Sequence, residues 1–130
     1  MDNVSVEKTQ FKIIMTEEIL KRTKALGIMI IHLVDILPNK PSGWAISKQI
    51  VRSSTSVGAN YRASRRAKSK ADFINKLKIV EEECDETLFW LEIIEEAKIL
   101  SNAEVSPIKK EAHELLAIFV ASLKTLKTKT

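Results

Sequence analysis

From Thr16 onward, apolar residues recur at three- and four-residue spacing in successive blocks, which is the period of an amphipathic helix. The first block predicts a helix beginning near Thr16, with Thr16 as a cap and Glu17 and Glu18 favouring the positive end of its dipole. Leu20, Gly27, Ile31 and Val34 form one row of it, and Leu26, Ile30, Leu33 and Leu37 another. Pro38 to Gly43 is the clearest loop, with prolines that cannot continue a helix and a glycine able to take a positive φ. A second helix is predicted from Trp44 to about Ala67. Ser69 then caps a third, with Asp72 three residues on as the acid of a capping box. Phe73, Leu77, Val80, Cys84, Leu88, Leu91 and Ile94 mark that third helix, with Trp90 beside them. Ser101 to Ala103 close it, and Ser106-Pro107 opens a fourth carrying Ile108, Ala112, Leu115, Phe119, Leu123 and Leu126. Residues 1–15 lack a sustained period and read as a loosely ordered arm, and 127–130 as a fraying tail. Four such helices on short connections imply an all-α fold, an antiparallel up-down four-helix bundle, as one domain over residues 1–130.

The second helix departs from an ordinary surface helix. On a wheel of about 100° per residue, Ile46, Ile50, Val57 and Tyr61 share a face with Ser53, Ser54 and Ser64, which should meet the core. The opposite face collects Lys48, Arg52, Thr55, Ala59, Arg62 and Arg66, a basic stripe with a shallow centre. Gly58 and the serines lower helix propensity, by roughly 0.5 to 1 kcal/mol for a mid-helix glycine. Close approach of another helix, subunit or ligand is the expected compensation.

Composition narrows the function more than it names one. The content of 45% hydrophobic and 29% charged residues, with 3 Gly and 3 Pro, suits amphipathic helices. One cysteine, Cys84, allows no intramolecular disulfide, and no signal-like segment opens the chain, so a cytoplasmic setting is expected. The longest apolar run, broken by His32 and Asp35, is far short of the roughly 20 residues that cross a bilayer, so no membrane span is expected. A net charge of +4 permits polyanion contact without demanding it. Its distribution says more: bases crowd Arg62 to Lys78, whereas Glu81 to Glu96 carries acids alone. The plain reading is that these are solvated faces pairing between neighbouring helices.

Enzymatic chemistry finds no constellation. A carboxylate-bridged di-metal centre needs Glu-x-x-His pairs, but Met29 precedes His32 by three and Lys110 precedes His113. Cys84 sits in a core row without an activating partner. Phosphate-loop, dinucleotide and nucleophile-elbow motifs are missing too, so no enzyme, metal or cofactor is expected. The order around Ser53 to Val57 could be taken for a helix-turn-helix, but Ile50, Val51 and Arg52 continue the helical pattern where the turn should be. The better candidate is the cluster Arg62, Arg65, Arg66, Lys68 and Lys70, concentrated within nine residues, which could hold phosphates. One subunit presents few contacts, so a symmetric assembly would be needed to multiply them.

The run from Gln49 to Ala63, QIVRSSTSVGANYRA, followed by Asp72 to Leu77, DFINKL, and Glu86 to Glu92, ETLFWLE, resembles the bacterial four-helix-bundle family of ribosomal RNA intervening-sequence proteins. The resemblance covers helices two and three. It implies a homopentameric ring and a distant relation to the accessory variability proteins of retroelements, which use a basic ring surface to bind reverse transcriptase and nucleic acid. Arg52, Ser53, Ser56 and Asn60 carry over as architectural or interface residues, with Trp90 in the third motif, and Arg62 belongs to both the motif and the basic cluster. The expected function is a non-enzymatic homo-oligomer binding RNA or a nucleic-acid-handling protein, the alternative being an adaptor whose partners are proteins alone.

Overall fold

The structure is a computed structural model that describes the backbone of residues 3–128 and the side chains of residues 16–128. Its helices are α1 (Asn3–Val34), α2 (Pro41–Ser64), α3 (Lys70–Glu96) and α4 (Asn102–Thr128). Each packs on the next and α1 closes the circuit on α4, which makes an antiparallel four-helix bundle.

The core follows the predicted stripes. Leu26, Ile30 and Leu33 of α1 meet Ile46, Ile50, Val57 and Tyr61 of α2, and Leu77, Val80, Cys84, Leu88, Leu91 and Ile94 of α3 meet Ala112, Leu115, Phe119 and Leu123 of α4. Tyr61 lies against Phe119 with ring centroids 6.0 Å apart, and burial raises its phenol pKa. Ile31, expected in an apolar row, is instead 43% exposed.

The helix ends differ in instructive ways. Helix α1 begins at Asn3, so Thr16 is an interior residue rather than a cap, with residues 3–15 helical before it. No proline or glycine interrupts that segment, and extending an existing helix is far easier than nucleating one. At the other end α4 continues to Thr128, and residues 129 and 130 lie outside the described residues. Helix α2 starts at Pro41, whose fixed φ suits the first helical position, and stops at Ser64 rather than Ala67. Gly43 therefore lies within a helix and has no positive φ. It is needed for another reason: a Cβ there would stand 2.0 Å from the carbonyl oxygen of Pro38.

Ser69 caps α3 as predicted, while the reciprocal bond to the acid comes from Lys68, one residue before the cap. Asp72 N–H donates to Ser69 Oγ at 3.1 Å, and the Lys68 N–H donates to the Asp72 carboxylate at 3.0 Å. Helix α3 ends earlier than expected, because Lys98 takes a left-handed φ of 56°. The Lys98 N–H then donates to Glu95 O and the Ile99 N–H to Ile94 O, the paired bonds of a Schellman end. A second capping box, Ser101 with Glu104, opens α4, so Pro107 is interior to the helix rather than at its first turn.

Candidate nucleic-acid interface

Each pair of adjacent helices is joined on its outer edge by a cation and a carboxylate. Arg65 of α2's C-cap reaches Glu17 of α1 at 2.6 Å, and Arg52 of α2 is held by Glu83 and Glu86 of α3. Lys109 of α4 reaches Glu95 of α3 at 2.8 Å, and Arg22 of α1 binds Glu111 of α4. The shared hydrogen bonds raise the pKa of Arg22, Arg52 and Lys109 and lower that of Glu95. The charge segregated along the sequence is thus partly consumed inside the bundle. Arg22 and Glu111 were not singled out in the sequence, since no periodicity links positions so far apart in the chain.

The architectural residues behave accordingly. Ser53 is fully buried and its Oγ lies 2.9 Å from Thr87 Oγ1, a polar link between α2 and α3. Asn60 donates to the carbonyl and hydroxyl of Ser56 at 2.9 and 2.7 Å, so it satisfies its own helix. Trp90 is half-buried against the core, with its indole N–H directed at Glu86 and its ring edge-on to Phe89. Gly58 has the role expected of a close contact, and its partner is α1: a Cβ would meet Thr23 O at 3.3 Å. Thr23 and Thr87, both fully buried, were missed, because threonine carries no apolar signal on a wheel.

Arg62, Arg66, Lys68 and Lys70 are all exposed at the α2–α3 corner. Among the described residues none of these four side chains has an ion pair, whereas Arg65 is tied to Glu17. Asp72 is the carboxylate nearest in sequence, and its charge is engaged by Lys76 and the Lys68 backbone, which hold its pKa below the ordinary range. Tyr61 is in the core and offers no stacking surface.

The basic stripe of α2 is exposed along its length, but its members part ways. Arg52 turns to α3, while Thr55, Ala59, Arg62 and Arg66 line a groove of about 780 Å³ between α1 and α2. Gly27 and Gly58 make its floor shallow, and Lys24, Ile28 and Ile31 of α1 form the far wall. His32 and His113 are both exposed, on different helices, and no group of three or more metal-ligating side chains occurs among the described residues. Burial pushes the Cys84 thiol up to about 12, and its Sγ lies 3.4 Å from Ala112 O, which leaves it inert as a nucleophile at neutral pH. No helix among the described residues is long and apolar enough to cross a membrane.

Comparison with known proteins is consistent with this architecture. The family model described as 23S rRNA-intervening sequence protein matches residues 15–121. A solved structure from Bacteroides thetaiotaomicron, described as a protein of unknown function from the S23 ribosomal protein family, is 33% identical, with a TM-score of 0.76 over 82% of this chain and 98% of that one. No curated protein matches the chain.

Proposed function

The chain belongs to the family of 23S rRNA-intervening sequence proteins, and from that premise we propose that it is a non-enzymatic, self-associating bundle of the cytoplasm that binds RNA phosphates through the α2–α3 corner. One observation carries the proposal: Arg62, Arg66, Lys68 and Lys70 are exposed within nine residues, with no ion pair among the described residues, in a chain whose total excess is +4. Arg22, Arg52 and Lys109, by contrast, are each engaged by a carboxylate of a neighbouring helix. A corner left unpaired keeps its positive potential for an external anion.

The recognition is of phosphate rather than base. Among the described residues Tyr61 is buried and Phe73 packs against the core, so neither ring is free at the corner to stack a nucleobase, and binding is general among RNAs and set by backbone geometry. Self-association, with five copies as the family resemblance implies, repeats the corner and converts weak single contacts into avidity.

The test is the triple variant Arg66→Gln, Lys68→Gln, Lys70→Gln, which leaves the Arg65–Glu17 pair in place. RNA affinity at moderate salt should fall at least tenfold, about 1.4 kcal/mol, with helicity and oligomer size unchanged. Unchanged affinity, or a parent protein that ignores RNA at low salt, would leave the adaptor reading in its place.

A further inference from the structure

Because α1 touches α2 and α4 while α3 touches α2 and α4, the α1–α2 groove and the α3–α4 face lie on opposite sides of the bundle. The first is cationic, through Lys24, Arg62 and Arg66, with Ile28 and Ile31 exposed on its wall at 48% and 43%. The second carries Glu81, Glu82 and Asp85 beside the apolar Leu116 and Val120, the latter 46% exposed. Lys78 and Lys127 border that second face, at the end of the bundle that also carries the cationic corner.

The acids of α3 fall into two sets. Glu83, Glu86 and Glu95 are engaged by Arg52 and Lys109 within the chain. The side chains of Glu81, Glu82 and Asp85, like those of Glu92 and Glu96 farther along the helix, have no hydrogen bond or ion pair among the described residues. We infer that the α3–α4 face of one copy docks in the α1–α2 groove of the next, setting Glu82 and Asp85 toward Lys24 and Arg62 and Val120 against Ile28 and Ile31.

The groove floor suits such an occupant, because Gly27, Thr55, Gly58 and Ala59 present little side chain and let a helix surface approach closely. A two-fold arrangement through the α1–α2 groove would oppose cation to cation, which complementary patches on opposite sides avoid. Copies therefore join head to tail. Arg66, Lys68 and Lys70 stay at the open end, available to RNA.

This docking rests on the self-association proposed above and assigns its surfaces. It is tested with two variants, Ala59→Trp to fill the groove and Glu82→Lys with Asp85→Lys to reverse the opposite face, all at exposed positions. By sedimentation at micromolar concentration the parent protein should be multimeric and each variant alone a 14.7 kDa monomer. An equimolar mixture should give a 1:1 dimer and nothing larger, since only one matched pair of surfaces survives. If either variant keeps the parent's size, or the mixture stays monomeric, the assigned surfaces are wrong while self-association stands. A monomeric parent overturns self-association itself, and RNA affinity measured on the same monomers reports separately on the corner. Helicity by circular dichroism shows that the variants fold, and should Ala59→Trp lose it, Ile31→Asp on the groove wall carries the same expectation.

Discussion

At the scale of single residues, space is decided by a few atoms that no wheel displays. Gly43 is the sharpest case, because the carbonyl of Pro38 occupies the position a Cβ would take. Gly43→Ala should lower stability by about 2 kcal/mol or more, since both the loop backbone and the start of α2 would have to shift. Gly58 is more permissive: the contact with Thr23 O at 3.3 Å is tight, and Gly58→Ala should forfeit most of the roughly 1 kcal/mol of helix propensity alanine normally supplies. Urea midpoints measured on both variants decide the matter. A neutral Gly43→Ala would mean that the Pro38 carbonyl is not held where it is placed. The sequence singled out both glycines as unusual but attributed Gly43 to a turn, because composition reports conformational freedom and not the neighbour that requires it.

At the scale of helices, the interiors were readable and the ends were not. Stripes in α2, α3 and α4 predicted buried residues nearly one for one, since burial of apolar area sets the period. Ends depend on local hydrogen bonds, and these were recognised at Ser69–Asp72 but passed over at Ser101–Glu104, where Pro107 drew the boundary too far along. Lys98 is the remaining irregularity, a side chain held at positive φ to complete the end of α3. Lys98→Gly should raise stability by about 1 kcal/mol by removing that strain, measurable as a higher urea midpoint. A loss of stability would show that the lysine side chain stabilises this turn.

The two boxes also predict an acid response. Hydrogen bonds from Lys76 and the Lys68 backbone lower the Asp72 pKa, and those from Ser101 lower that of Glu104. A carboxylate depressed by folding contributes stability above its unfolded pKa and loses it as pH falls through the folded value. Thermal midpoints should therefore fall more steeply below about pH 4 in the parent than in Asp72→Asn with Glu104→Gln. Parallel curves would mean that the boxes do not set the acid response.

At the scale of the whole molecule, sequence showed where charge was concentrated but not which charges were already spent. Arg52 and Arg62 share a stripe on the wheel, yet one is paired across the α2–α3 seam and the other has no ion pair among the described residues. Only packing makes that distinction, because partners such as Glu83 and Glu86 are contributed by a neighbouring helix. Arg65, grouped with the phosphate-binding candidates, proves to join α2 to α1 through Glu17. What survives is a smaller corner, and the central claim is that it meets RNA by charge.

That claim is tested most directly by the affinity of the parent protein for a single-stranded RNA measured across a series of salt concentrations. Release of counterions by three corner cations per protomer predicts a line in log Kd against log salt with a slope of magnitude about 2 or greater. The Arg66→Gln, Lys68→Gln, Lys70→Gln protein should give a line close to flat. Binding that is indifferent to salt, or a variant whose slope equals the parent's, would contradict the account.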